Sequence, residues 1–328
     1  MTQALYDFPS YSPSFGLSNG HVQSILPTLL RQVTVPFERS RLELADGDFL
    51  LLDMLRQPAS SAPWVILSHG LEGSSRRPYM QGMARAFHAA GWQVLAWNFR
   101  GCGGEPNRLP RFYHSGAIDD LKAVMMELLN HQQAEKIFLT GFSMGGNQTV
   151  LALAEPDLPD EVIGGVGFSV PLDLASCAGR LAQPAQRIYM QRFLRDLKVK
   201  IIAKAERFPE LISSADFAEI KNFRDFDDRY TGPLHGFTGA QDYWAQCSSR
   251  NALPDLRRPT LIINAADDPF LGRNCFDCHL GVRSSQLFME IPTSGGHVGF
   301  VRWKLNSELW SEKRALVFAN YLLERTGS

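Results

Sequence analysis

The residues best placed by type and spacing to do chemistry lie in Gly141-Phe142-Ser143-Met144-Gly145, a G-x-S-x-G string. It sits between an apolar run, Lys136-Ile137-Phe138-Leu139-Thr140, and a helical pattern that starts at Met144. A strand turning sharply into a helix forces the central residue into strained φ/ψ, and glycines two positions to either side remove the Cβ atoms that would collide. Ser143 Oγ would then stand above the C-terminal edge of a sheet as a nucleophile. The helix behind it would aim free N–H groups and partial positive charge at the oxygen that turns negative during acyl transfer.

A serine needs a base, and the base needs an acid; on this strand–turn–helix scaffold they follow in chain order Ser, Asp, His. Among eight histidines, His297 alone has the required late loop position, in Thr293-Ser294-Gly295-Gly296-His297-Val298-Gly299-Phe300 after the last apolar run. The acid is expected in Ala265-Ala266-Asp267-Asp268-Pro269-Phe270. A pattern of glycine, two residues and aspartate puts Ala265 at the glycine position and Asp268 at the acid, with Asp267 as the alternative, since neighbours on a loop point in different directions. For the oxyanion, the N–H of Met144 follows the nucleophile, and the N–H of Leu71 is the second candidate. Leu71 comes after His69-Gly70, where the glycine permits a close backbone turn.

These groups need a scaffold to hold them. Residues 33–56 read as short strands, Val33-Thr34-Val35 and Phe49-Leu50-Leu51-Leu52, with a turn at Asp46-Gly47-Asp48. Trp64-Val65-Ile66-Leu67-Ser68 is the next apolar run, and a helical pattern at 80–87, a strand at 93–99 and a helix at 118–130 follow it. Further strands are expected at 136–140, 162–169, 259–264 and 286–291, and a closing helix at 308–325. Strand alternating with helix predicts an α/β fold, a mostly parallel sheet with helices on both faces. Between about 171 and 250 helical patterns interrupt the alternation, and there basic residues outnumber acidic ones from 180 to 230. The expectation is one domain over 1–328 with a helical cap insertion at about 171–250. Its Ile188-Tyr189-Met190 and Phe193-Leu194 stretches would offer apolar surface to an acyl chain or pack on the core.

Composition narrows the class. Hydrophobic residues make up 45% and charged residues 20% of 328 residues, which suits a globular protein with a sizeable core. Lys+Arg of 33 against Asp+Glu of 34 leaves a net charge of −1, with no global attraction for nucleic acid or an anionic membrane. No window approaches the roughly 18 uninterrupted apolar residues of a spanning helix, and the N-terminus lacks a secretory pattern. Five scattered cysteines, Cys102, Cys177, Cys247, Cys275 and Cys278, argue for a reducing compartment, so a cytoplasmic location is expected.

Three strings could mislead. Cys275-Phe276-Asp277-Cys278-His279 matches a haem-attachment string or half a zinc site, but it has neither an export signal nor a second ligand pair. His114 and Asp119 form an H-x-x-x-x-D string more simply read as a histidine packed at a helix start. Arg100-Gly101-Cys102-Gly103-Gly104 lacks both a Gly-Lys-Ser/Thr and a dinucleotide fingerprint, and reads as a loop after a strand.

Seven segments together resemble the α/β hydrolases, and more narrowly the YheT-type (AB hydrolase 4) family: Ser18-Asn19-Gly20-His21-Val22-Gln23, His69-Gly70-Leu71-Glu72-Gly73, Asn98-Phe99-Arg100-Gly101-Cys102, Tyr113-His114-Ser115-Gly116, Gly141-Phe142-Ser143-Met144-Gly145-Gly146-Asn147, Asp267-Asp268-Pro269-Phe270 and Gly295-Gly296-His297-Val298-Gly299-Phe300. The resemblance implies a serine carboxylesterase acting on a small-molecule ester through Ser143, Asp268 and His297, without cofactor or metal. Acyl transfer to an alcohol is the alternative, and a catalytically silent binding module is the more distant one.

Overall fold

The computed structural model describes residues 8–215, 217–276 and 284–326. Its strands are β1 (Glu38–Glu43), β2 (Phe49–Leu55), β3 (Trp64–Ser68), β4 (Gln93–Asn98), β5 (Ile137–Phe142), β6 (Val162–Phe168), β7 (Thr260–Ile263) and β8 (Leu287–Glu290). They form one sheet in the order β1-β2-β4-β3-β5-β6-β7-β8. The β1–β2 and β2–β4 pairs are antiparallel and the other pairs are parallel. Strands β2 to β7 are buried along their whole length, as their unbroken apolar runs require of a sheet covered on both faces.

The period-2 alternation of β3 sorts its side chains into two cores. Val65 and Leu67 pack with Met80, Met83 and Phe87 of α2 (Pro78–Ala89) and Phe318 and Leu322 of α10 (Trp310–Thr326). Ile66 faces the other way, toward Leu121, Val124, Met125 and Leu128 of α3 (Ile118–Gln132) and Val150 and Leu153 of α4 (Met144–Leu153). Those four α3 positions recur at i, i+3, i+4 and i+7, the stripe that fixes which face of the helix turns inward.

The link from β6 to β7 runs through α5 (Leu174–Leu181), α6 (Arg187–Arg207), α7 (Phe223–Phe226), α8 (Gly232–His235) and α9 (Ala240–Cys247). No described helix is long and apolar enough to cross a membrane.

One local expectation fails and one element was not foreseen. Val33-Thr34-Val35 forms no strand: the Val35 N–H donates to the Gln81 side chain of α2 instead of a sheet neighbour, and the edge strand is the polar β1. Ahead of it, α1 (Gly20–Leu30) went unforeseen because Pro27 lies inside it and interrupts the helical spacing. Its start is secured by Asn19, whose side chain accepts from the His21 and Val22 N–H groups. Of the Cys-x-x-Cys-His string, Asp277, Cys278 and His279 lie outside the described residues. Cys102, Cys177, Cys247 and Cys275 are buried free thiols.

Candidate active site

The turn from β5 into α4 holds Ser143 at φ 53°, ψ −120°, a conformation costly for a residue with a Cβ. The flanking glycines are sterically required. A Cβ on Gly141 would lie 2.2 Å from the Gly145 carbonyl oxygen, and one on Gly145 would lie 2.4 Å from the carbonyl oxygen of Ser68 on β3. The strain is locked from outside the turn as well, because the Ser143 N–H donates to the Phe168 carbonyl at the end of β6, 2.8 Å away.

Next to it, the end of β3 presents Leu71 through a device centred on His69. The His69 ring is fully buried, which pushes its pKa down to about 3 and keeps it neutral. Nδ1–H donates to the Gly70 carbonyl at 2.7 Å, and Nε2 accepts from the Phe99 N–H at 3.1 Å. The Gly73 N–H also donates to that carbonyl. In a trans peptide the N–H points opposite the C=O, so fixing the Gly70 carbonyl on the His69 side turns the Leu71 N–H to the other side. Neither the Leu71 nor the Met144 N–H has an acceptor among the described residues. Gly70 brings this backbone close to the nucleophile: a Cβ there would sit 3.2 Å from Ser143 Cβ, tighter than an ordinary contact. Tyr79 OH accepts the Gly70 N–H, a contact that sequence reading missed.

His297 lies on the loop after β8. Its Nδ1 is 2.9 Å from Asp268 Oδ2 and 3.1 Å from Oδ1, and Asp268 is 3% exposed. With Nδ1–H given to the carboxylate, Nε2 is left as the basic nitrogen. Asp267 points elsewhere: its Oδ1 accepts the Gly296 N–H at 2.8 Å, and burial raises its pKa. No hydrogen bond joins Ser143 Oγ to the His297 ring, although the two line the same cavities. The histidine loop is held from several elements, two of the contacts, Ser24 and Ser169, lying outside the motif segments read from the sequence. Ser24 of α1 accepts the His297 N–H, Ser169 after β6 accepts the Val298 N–H, and Phe270 stacks on the imidazole with ring centroids 4.0 Å apart. Gln23 of α1 clamps the same loop through the backbone of Val301. Non-glycine residues at positive φ gather here too: Glu72, Ser143, Ser169, Val298 and Phe300. That strain is paid for by the surrounding packing and marks a constrained site.

Ser143 stands where two cavities meet, with Leu71, Phe193, Phe270 and His297 lining both. The first, a space of about 810 Å³ open in part to solvent, runs beneath the helices between β6 and β7, walled by apolar groups such as Leu174, Leu181, Leu197, Phe223, Phe226 and Trp244. The second, of about 1120 Å³, opens between α1, the start of α2 and α6, and contains Arg31, Arg77 and Arg192. Along α6, Tyr189 and Phe193 turn to the site at i, i+4 spacing. Ile188 is 76% exposed and Met190 and Leu194 face another groove, so only part of the expected apolar stretch reaches Ser143.

The remaining strings resolve into structure. Arg100 is buried against Asp120, Asp46 and Asp48, and His114 packs its ring on His235, Phe237 and Tyr243. Among the described residues no His/Cys/Asp/Glu group is arranged to hold a metal ion.

Comparison with known proteins places this geometry. Residues 63–274 match the model of the alpha/beta hydrolase fold family. The chain is 36% identical over 312 residues to the protein YheT of Escherichia coli (strain K12), whose name carries a provisional esterase assignment; the match covers 93% of this chain and 91% of the relative. It is 25% identical over 301 residues to phospholipase ABHD3 of Mus musculus, covering 89% and 73%, and 25% identical over 260 residues to the monoacylglycerol lipase of Saccharomyces cerevisiae, covering 76% and 57%. Among solved structures, the Pyrococcus furiosus esterase Pf2001 is similar with a TM-score of 0.57 at 16% identity, covering 90% of this chain and 98% of that one. At that identity the likeness speaks for the fold.

Proposed function

Because the chain belongs to the α/β hydrolase family, in its YheT-type branch of esterase and lipase relatives, we propose that it hydrolyses carboxylic esters through an acyl-enzyme on Ser143. The observation that carries this reading is the pairing of His297 Nδ1 with buried Asp268 beside a serine held at positive φ, with the imidazole and the serine lining a common cavity. Ser143 Oγ attacks the ester carbonyl while His297 Nε2 takes its proton, and Asp268 stabilises the imidazolium and fixes its tautomer. The oxyanion is met by the N–H groups of Leu71 and Met144. His297 then returns the proton to the leaving alcohol, and water, activated by the same imidazole, releases the acid. In this reading the helices between β6 and β7 form a cap whose cavity takes the acyl chain, and the four buried free thiols agree with a reducing, cytoplasmic setting.

The test is labelling of the purified protein with a fluorophosphonate, paired with turnover of p-nitrophenyl esters. Wild type should label and turn over, and Ser143→Ala should do neither while melting normally, with a loss of activity on the order of 10³-fold or more. Labelling that survives in Ser143→Ala would move the nucleophile elsewhere. Failure of the wild type to label would favour a silent binding module.

A further inference from the structure

The two cavities that meet at Ser143 differ in charge. The cavity under the cap is lined by no lysine or arginine, whereas the cleft on the α1 side is lined by Arg31, Arg77 and Arg192. An ester bound at Ser143 must place its acyl and alcohol parts on different sides of the carbonyl, so the asymmetry bears on which part goes where.

The carboxylates lining the cleft are already matched by cations. Glu72 pairs with Lys200 at 2.7 Å, and Asp196 is met by Arg195 at 3.1 Å and by Arg192 only at 4.0 Å. Arg77 makes no ion pair among the described residues; one Nη donates to the Glu72 carbonyl, and the rest of the guanidinium fork is uncommitted. Arg77 also immediately precedes α2, whose first turn receives no side-chain cap, so the positive end of that helix faces the same space. Arg31, 4% exposed, binds Glu312 through Nη2 at 2.6 Å, while its Nε and Nη1 have no partner.

We propose that this cleft is a leaving-group subsite for an oxyanion carried on the alcohol, so that the preferred substrates join an apolar acyl chain to an alcohol bearing a phosphate or carboxylate group. This rests on the esterase reading above and adds to it the chemistry of the alcohol. Arg77 and Arg192 reach the anion from the two walls of the cleft, from the start of α2 and from α6, while the charge of Arg31 is met by Glu312. The acyl chain fills the cavity that no lysine or arginine among the described residues lines, where Asp227 is the one carboxylate and an anion would find no arginine or lysine to offset its desolvation.

The experiment compares three esters with one acyl chain, used below their aggregation concentrations: 1-octanoylglycerol, 1-octanoylglycerol 3-phosphate and 3-octanoylglycerate. In wild type, kcat/KM for a charged ester should exceed that for the neutral one by on the order of tenfold or more. Which charged ester leads identifies the oxyanion. Arg77→Gln and Arg192→Gln should each cut the charged-to-neutral ratio several-fold. Arg192 has no part in the Glu72 loop contact, so its variant tests the subsite even where Arg77→Gln disturbs that loop. A wild-type ratio near one with good turnover of the neutral ester overturns the subsite and leaves the esterase reading standing. If no ester is turned over, calorimetric binding of the same three compounds to Ser143→Ala decides. Tighter binding of a charged ester, weakened by Arg77→Gln, supports the subsite, and equal affinities overturn it.

Discussion

Lys200 Nζ lies 2.7 Å from Glu72 Oε1, which ties α6 to the residue that follows Leu71. Glu72 holds a positive φ of 51°, and Tyr113 completes the clamp: its OH donates to the Glu72 carboxylate and accepts the Glu72 N–H at 3.0 Å. Both charges are largely buried, with side-chain exposures of 10% and 13%. Removing one partner strands the other, so Lys200→Met should cost about 3 kcal/mol. Lys200→Arg should recover much of it. In a double-mutant cycle with Glu72→Gln, followed by urea unfolding, the pair should show a coupling of about 1 kcal/mol or more. Additive losses would mean that α6 and the loop are held together by other contacts.

Asp268→Asn should reduce kcat by on the order of 10³- to 10⁴-fold, since an amide cannot stabilise the imidazolium and favours the wrong tautomer. Asp267→Asn should be mild, because an amide oxygen can still accept the Gly296 N–H that Asp267 Oδ1 accepts now. Steady-state kinetics on the two variants settle the matter. A crippled Asp267→Asn with an active Asp268→Asn would reverse the roles assigned to these neighbours.

Sequence pattern located the central strands and the Ser143 turn because those signals are local. The run Trp64-Val65-Ile66-Leu67-Ser68 is too apolar for anything but a covered strand, and Gly141 and Gly145 answer to contacts within the turn itself and with β3. What escaped was information carried by tertiary partners. Ser24 looks like any helix serine until α1 is seen to hold the His297 N–H, and α1 itself is hidden by Pro27. The loop pattern favoured Asp268 over Asp267 without giving the contacts that set them apart; the fold gives Asp268 the imidazole and Asp267 a backbone N–H. Likewise, Met190 and Phe193 are equally apolar in the sequence. Only the rotation of α6 decides that Phe193 reaches the site.

Phe193 lines both cavities, with its ring 5.7 Å from Phe270 and 5.8 Å from Phe223. Phe193→Ala should change the ratio of kcat/KM for short and long acyl esters by roughly tenfold, as expected when pocket volume discriminates methylenes, while Tm falls little. A uniform loss across chain lengths that follows a lowered Tm would show that Phe193 only packs, and that chain-length selection resides elsewhere.

Asp227 lines the cavity beneath the helices between β6 and β7, where its carboxylate accepts from Thr231 Oγ1 at 2.6 Å and Trp244 Nε1 at 2.8 Å. Burial outweighs these two hydrogen bonds and pushes its pKa up from 3.8 to about 7, with Asp228 adding to the rise. From the ordinary carboxyl range up to about 7, the folded protein therefore keeps a proton that the unfolded chain has released. The unfolded state binds fewer protons in that window, so this group's contribution to stability declines as pH rises through it. Asp227→Asn removes the titration and can keep both contacts, its oxygen accepting from Trp244 and its amide donating to a reoriented Thr231 hydroxyl. The variant should gain Tm on wild type steadily between about pH 4 and pH 8, by a few degrees in all. Thermal melts of the two proteins across that range provide the measurement. A Tm difference that stays constant with pH would mean that Asp227 does not titrate there, and that the cavity wall holds a carboxylate already ionised at low pH.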